Sequence, residues 1–271
     1  WPWRPGVPRS VPDAFRASVM HRPPAHLKEP SAEAMTDPRH SDRTADTSHT
    51  RRIRSFVLRQ GRITPAQEQA FAAHWTRFGV ESGTGLLELD TLFARAAPVV
   101  IEIGFGNGAQ LLHAASQETQ RNFIGIEVHS PGVGRLMNGL AEAGLENVRL
   151  FQHDAVEVLK QQIPEGSLDE VRIYFPDPWP KKRHHKRRLI QAEFIELLAT
   201  RVRSGGLLHL ATDWADYAEH MLATMDASPL WRNRAGNGAY SAPPAWRIST
   251  HFEKRGVRLG HGVWDLIHER T

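Results

Sequence analysis

Cysteine is absent from the 271 residues, which excludes a disulfide framework, a thiolate nucleophile and any zinc site built on cysteine ligands. That absence agrees with a cytoplasmic location. No apolar run approaches the ~20 residues that a membrane-spanning helix needs, so no membrane anchorage of that kind is expected. The 15 histidines show no His-Glu-x-x-His spacing, and no metal is expected. Charge of one sign is scarce in excess: the formal net charge is +4 although the sequence pI is about 9.7. The basicity must therefore be local, and whole-chain charge alone says little about partners.

A hydrophobic content of 40% over this length fits one α/β domain with extensions better than two full domains. Residues 1–50 are rich in Pro, Arg, His, Ser and Thr and lack periodicity, so they are expected to be a disordered extension, with the folded domain in residues 51–271. The chain opens on Trp1, and Met35 is followed by the polar stretch TDPRHSDRTADTSHT; Met35 is expected to be the natural start, residues 1–34 then lying outside the native chain.

What is present is concentrated in Val171 to Arg188, VRIYFPDPWPKKRHHKRR. Val171 to Phe175 reads as a strand, and Pro176 cannot continue a ladder, so the strand should stop there. Asp177 then sits at a strand's carboxyl end between two prolines, which lowers the entropy lost when its carboxylate must hold one geometry. Trp179 offers a flat face for stacking or packing. After Pro180, six of eight residues, Lys181, Lys182, Arg183, Lys186, Arg187 and Arg188, are fixed cations, with His184 and His185 between them. A phosphate backbone is the natural partner. A basic loop is often only solvated surface, and a proline-bracketed Asp only a turn. Their contiguity at a strand end, where ligands bind α/β sheets, favours a nucleic-acid site.

Arg51 to Arg62, RRIRSFVLRQGR, is a basic arm that lies on RNA or in solvent. Thr64-Pro65-Ala66-Gln67 has the form of a capping box and predicts a helix toward Phe78, serving packing. From Pro98 strands and helices alternate: VVIEIG and a helix from about Ala109, NFIGIEV and a helix through Leu140, NVRLFQ and AVEVLKQQI, VRIYF, then GGLLHLATD and WADYAEHMLATM. RISTHFEK and VRLGHGVWDLIH are expected as two closing strands. The prediction is a mainly parallel seven-stranded sheet with helices on both faces.

The first strand runs into Glu102-Ile103-Gly104-Phe105-Gly106-Asn107-Gly108, glycines falling where a backbone turns tightly against a nucleotide-like cofactor. Gly104, Gly106 and Ala109 also satisfy a dinucleotide fingerprint, so the loop alone leaves two cofactors open. Glu127, about 20 residues on, is placed to accept ribose hydroxyl hydrogen bonds. Asp154 follows the third strand and is placed to accept from an exocyclic amine or to cap the next helix. The ordered set Glu102, Glu127, Asp154 and Asp177 points to S-adenosylmethionine, with a dehydrogenase as the weaker alternative; the cationic run has no purpose in hydride transfer between small molecules. A methyltransferase acting on an exocyclic amine and a non-catalytic RNA-binding protein are the rival readings.

The motifs RRIRSFVLRQGR, EIGFGNG, FIGIEVHSPGVGRL, HDAVEVL, FPDPWPKKRHHKRR, HLATDWADYAEHML and THFEKRGVRLGHGVWDL together resemble the bacterial tRNA (guanine-N7)-methyltransferases, the TrmB family, from about Arg51 to Ile267. The resemblance implies a class I, Rossmann-like methyltransferase fold that uses S-adenosylmethionine to methylate a guanine in the variable region of tRNA. By motif match it implies Glu102, Gly104, Glu127, Asp154 and Asp177 in the cofactor pocket, and Asp177 as the catalytic residue. It further implies Lys181, Asp213 and Thr250-His251-Phe252-Glu253 at the substrate, with Arg183, His184, His185, Lys186, Arg187 and Arg188 on the RNA. In one place the chain departs from the pattern: His251 stands where the family usually has lysine, so a charge there would depend on pH.

Overall fold

Val99–Ile103 (β1), Asn122–Ile126 (β2), Val148–Phe151 (β3) and Leu168–Tyr174 (β4) are short runs dominated by Val, Ile, Leu and Phe, and almost every residue in them is buried. Continuous burial, rather than alternation, marks parallel strands covered on both faces. The computed structural model of the chain describes residues 55–56, 64–248 and 262–271. In it these strands join Val202–Thr212 (β5), Trp231–Asn233 (β6) and Trp264–Arg270 (β7) in a seven-stranded sheet of order β3-β2-β1-β4-β5-β7-β6. β1 to β5 pair in parallel, whereas β7 runs antiparallel to both β5 and β6. The mainly parallel sheet expected from the alternation is the one that forms.

The helices are Pro65–Phe78 (α1), Leu89–Phe93 (α2), Ala109–Gln117 (α3), Ser130–Glu142 (α4), Ala155–Gln161 (α5), Ala192–Arg201 (α6) and Ala215–Asp226 (α7), with a 3-10 turn over Lys182–Arg187. On one face Val100, Phe123 and Val148 pack against Leu111 of α3, Leu136 and Met137 of α4, and Ala70 and Phe78 of α1. On the other, Ile101, Val171 and Leu208 meet Val158, Leu198, Tyr217 and Met221 of α5, α6 and α7. Each such fully buried aliphatic side chain contributes roughly 1.5–3 kcal/mol relative to exposure. The capping box forms as predicted: the Thr64 side chain accepts from the Gln67 backbone N–H at 3.3 Å, and the Gln67 side chain accepts from the Thr64 N–H at 3.0 Å. Gln67 also donates to the Pro131 carbonyl at 3.3 Å, which fixes α1 against the start of α4.

Some elements differ from expectation. α2, α6 and β6 were not anticipated: β6 is three residues long and is defined by its pairing to β7 rather than by any periodicity of its own. Within the RISTHFEK stretch, Arg247 and Ile248 are not in a strand, and residues 249–254 lie outside the described residues. So do residues 1–50, and with them the expectations of a disordered extension and of a start at Met35.

The strand order turns back on itself between β1 and β4, each of which is followed by a connection to the opposite side of the sheet. Ligands bind open α/β sheets outside the carboxyl ends of the strands at such a switch point.

Candidate active site

At that switch point a cleft of about 780 Å³, including space open to solvent, is lined by residues from the ends of four strands. Ile103, Ile126, Ile173 and Leu189 give it an apolar floor, while Gly104, Glu127, Asp154 and Asp177 stand among the lining residues. Four of the five residues expected at the cofactor are therefore brought together.

The glycine loop leaves β1 with Gly104 at φ 71° and Gly106 at φ 57°, a conformation that other residues adopt only at a cost. A Cβ at either position would meet nothing within 4 Å, so glycine is required by the turn, and the space above the loop is open to a ligand. Glu127 closes the loop from β2. Its Oε2 accepts from the Gly106 N–H at 2.9 Å, and its Oε1 accepts from the Val128 and His129 N–H groups at 2.7 and 3.0 Å. A carboxylate offers about four acceptor positions, so roughly one remains, on Oε2, where the sequence had pointed to a pair of hydroxyl contacts. Of the two duties expected of Asp154, the cap forms, Oδ1 accepting from the Val156 N–H at 2.9 Å, and the residue also lines the cleft.

Glu102 is placed differently. It is 2% exposed, does not line the cleft, and its Oε2 has no hydrogen-bond partner. Burial pushes its pKa up to about 8, with Arg172 opposing and Glu170 reinforcing the shift. Beside it Arg172 bonds Glu170 at 2.7 Å and Glu118 at 3.1 Å, and Arg121 bonds both of those carboxylates.

Across the switch point the chain leaves β4 under strain. Phe175 has φ 51° and Trp179 has φ 46°, a left-handed conformation that costs non-glycine residues roughly 1–3 kcal/mol each and persists only where the surroundings impose it. The Phe175 N–H bonds the Ala211 carbonyl at 2.8 Å, and the Arg247 guanidinium lies 5.8 Å over its ring. Arg247 is in turn held by Asp265 at 2.7 Å, which also bonds His209 at 2.8 Å; the other ring nitrogen of His209 meets the Tyr174 hydroxyl at 2.8 Å. At the far end the Trp179 indole N–H donates to the Ser55 carbonyl at 3.0 Å, and the Arg187 guanidinium sits 3.8 Å over its face. Trp179 therefore packs. Between these clamps Asp177 is exposed and makes no hydrogen bond among the described residues.

The cationic run forms the 3-10 turn directly after this loop. Lys181, Lys182, Arg183 and Lys186 are exposed and His184, His185 and Arg187 half-buried. Partial desolvation and the charges of Arg183, Arg187, Lys181 and Lys186 hold His184 below the usual imidazole range. Arg188, expected on the RNA, is turned into the chain. It is 3% exposed, donates from Nε to the Pro178 carbonyl at 3.0 Å and pairs with Asp216 of α7. Asp213 directly follows β5, is half-buried and does not cap α7, whose N-cap position is Trp214 and carries no side-chain cap. Thr250, His251, Phe252 and Glu253 lie outside the described residues.

Sequence reasoning missed Ser55, Phe56, Tyr174, His129, His153 and Leu189 as lining residues. His129 and His153 carried a findable signal, standing beside the acids at the ends of β2 and β3; Ser55 and Phe56 carried none within a basic arm. Among the described residues no group of three His, Cys, Asp or Glu could hold a metal ion, and no helix is long and apolar enough to cross a membrane.

The residues fit S-adenosylmethionine: an open glycine turn, a spare acceptor on Glu127, a cleft-lining Asp154 and an apolar floor between them. This sheet order with this loop defines a class I S-adenosylmethionine-dependent methyltransferase. Comparison with known proteins narrows the class. The family described as putative methyltransferase (Methyltransf_4) matches residues 96–266. The chain is 60% identical over 220 residues to the tRNA (guanine-N(7)-)-methyltransferase of Xanthomonas campestris pv. campestris (strain 8004), covering 81% of this chain and 84% of that one. It is 60% identical over 221 residues to the protein of the same name from Xylella fastidiosa (strain 9a5c), covering 82% and 91%. The 16S rRNA methyltransferase KamB shares the fold, with a TM-score of 0.52 and 16% identity over 72% of this chain and 99% of that one. The chain belongs to the tRNA (guanine-N(7)-)-methyltransferase family.

Proposed function

We propose that this protein transfers a methyl group from S-adenosylmethionine to N7 of a guanine in tRNA, giving N7-methylguanosine, and that Asp177 is the catalytic residue. The observation that carries the reading is the position of Asp177: a carboxylate with no partner among the described residues, held at the mouth of the cofactor cleft and followed at once by the exposed cations of the 3-10 turn. S-adenosylmethionine, when bound, supplies an electrophilic methyl group on a sulfonium. Gly104 and Gly106 would carry it on their backbone, Glu127 would accept from one of its hydroxyls and Asp154 from its amine.

Guanine N7 has an in-plane lone pair and no proton, so no general base is needed before transfer. What the chain must do is align and balance charge. Holding two reactants in line can supply about 7–11 kcal/mol in ideal cases, and the doubly clamped loop that carries Asp177 suits that task. Positive charge builds on the purine as the methyl group arrives, and a fixed carboxylate stabilises it while accepting a hydrogen bond from the amino or imino edge of the base. Asp213, unpartnered among the described residues at the end of β5, is the second candidate for orienting the base, with Lys181 beside Asp177 for the adjoining phosphate. Lys182, Arg183, Lys186 and Arg187 would follow the RNA backbone. We read the target as lying in the variable region of tRNA and the protein as cytoplasmic, as the resemblance implies.

The test is nucleoside mass spectrometry of an unmodified tRNA transcript incubated with S-adenosylmethionine and either the wild type or Asp177→Asn. N7-methylguanosine from the wild type, with turnover reduced about 10²–10³-fold in the variant as for other charge-stabilising groups and cofactor binding retained, is the expected result. An N-methylated exocyclic amine would move the reaction class, and near-normal turnover of the variant would remove Asp177 from the mechanism.

A further inference from the structure

The last cation of the basic run is in the wrong place to meet a phosphate. The Arg188 side chain is 1% exposed, and two of its guanidinium nitrogens and its plane are already engaged by this chain. Nε donates to the carbonyl of Pro178 at 3.0 Å, Nη2 pairs with Asp216 of α7, and the guanidinium plane lies 4.8 Å over the Tyr217 ring. Tyr217 is itself fixed, its hydroxyl accepting from the Ile190 N–H at 3.2 Å.

Pro178 directly follows Asp177, and Asp177 lies midway between the two strained residues Phe175 and Trp179. The other clamps act at the ends of this loop, through the Phe175 N–H and the Trp179 indole. Arg188 acts at its centre. With a proline on either side, the Asp177 backbone has little freedom except a rotation of the Asp177–Pro178–Trp179 peptide units, and that rotation swings the Pro178 carbonyl. A planar guanidinium with donors directed at both a carbonyl and a carboxylate fixes that carbonyl in direction as well as position; an ammonium group cannot serve the two acceptors with the same rigidity. Asp216 supplies the counter-charge that a buried cation needs. Its side chain is 59% exposed, and its pairing with Arg188 holds its pKa below the ordinary carboxylate range, so the anion persists at neutral pH.

We propose that Arg188 is a positioning residue for the Asp177 carboxylate and makes no contact with RNA phosphate. The proposal rests on the reading of Asp177 as the catalytic residue, and it divides the basic run in two: exposed cations that bind RNA, and one buried cation that sets the geometry of the carboxylate.

The experiment uses the full chain with unmodified tRNA transcript, comparing wild type, Arg188→Lys, Asp216→Asn, Arg183→Gln and Asp177→Asn. Turnover is normalised to the fraction of molecules that bind S-adenosylmethionine, so that unfolded protein does not count as slow protein. The expected result for Arg188→Lys is a kcat lowered by about 10- to 100-fold, in line with the cost of slight misplacement, with KM for tRNA and the salt dependence of RNA affinity as in wild type. Asp216→Asn should lower kcat in the same direction by less, and being a change at an exposed group it keeps the test decisive should Arg188→Lys fail to fold. Arg183→Gln provides the reference for a phosphate contact, flattening the slope of log affinity against log salt by about 0.7–0.9. A comparable flattening in Arg188→Lys, or a loss confined to KM, would overturn the proposal and return Arg188 to the RNA. Unchanged kcat in both Arg188→Lys and Asp216→Asn would overturn it as well. Failure of the underlying reading gives a separate signature, normal turnover in Asp177→Asn.

Discussion

The two rims of the cleft are built by different means. On the β1–β3 side the groups that face the ligand are fixed by the main chain: Glu127 by three backbone N–H groups, Asp154 by its own helix, the loop by glycine conformations. On the β4–α7 side, strain at Phe175 and Trp179 is restrained by side chains reaching in from outside the loop, Arg247, Arg187 and Arg188 among them. The first construction depends on its own few residues and on the backbone packed directly against the loop. The second depends on several independent contacts, each of which can be changed alone. A binding rim that must only receive a cofactor can be built locally, whereas a rim that must orient a base on a polynucleotide draws on the whole end of the sheet.

The sharpest way to break the comparison is to disturb the main-chain rim without touching its ligand-facing residues. A Cβ added at Gly132 of α4 would lie 1.9 Å from the Gly106 carbonyl oxygen, and backbone cannot swing aside as a flexible side chain can. Gly132→Ala should therefore displace the glycine loop and weaken S-adenosylmethionine roughly 10- to 100-fold, the 1–3 kcal/mol of overpacking, while the salt dependence of RNA binding is retained. Calorimetric titration checks it; a cofactor affinity within about threefold of wild type would mean that the loop is not held as rigidly as the contact distance implies.

A smaller effect sharpens the other side. Lys182, Arg183 and Lys186 are exposed, and replacing all three with glutamine should flatten the slope of log RNA affinity against log salt by about 2–3, at about 0.7–0.9 for each phosphate left without its cation. Cofactor affinity should not move. If the slope is that of the wild type, the 3-10 turn is only a solvated surface and the division of labour within the run disappears.

Much of this was legible in the sequence because it was local. The capping box at Thr64, the glycine turn, the acids at the ends of β2, β3 and β4 and the parallel sheet each follow from residues within a few positions of one another. The burial of Arg188 was hidden because nothing in a string of cations says which one turns inward; that is decided by Asp216 and Tyr217, some 28 residues on. The burial of Glu102 was hidden for a related reason. Side chains alternate along a strand, but which neighbouring strand covers a given carboxylate depends on register, here Glu102 beside Arg172. β6 was invisible because its three residues exist as a strand only through β7.

Glu102 gives the smallest and most specific test, since it lies on β1 beside β4 where the two rims meet. Burial raises its pKa from 4.5 to about 8, so between those values the folded chain holds a proton that the unfolded chain has released. The folded form then binds more protons, and stability falls as pH rises through this window, until both forms are ionised above about pH 8. His209 and His268 act in the opposite sense: burial lowers both below 6.5, so they add stability as pH rises toward that value and nothing beyond it. From pH 6.5 to 8 Glu102 should dominate, costing about 1.4 kcal/mol per pH unit, or about 2–4 °C in melting midpoint per kcal/mol for a chain of this size. Glu102→Gln keeps the volume, cannot ionise, and should remove the decline, leaving a melting midpoint that is flat from pH 6.5 to 8. A wild-type midpoint that is already flat over that interval would place an anion, not a neutral carboxyl, beneath the cofactor loop, and the main-chain rim would then owe part of its electrostatics to a buried charge.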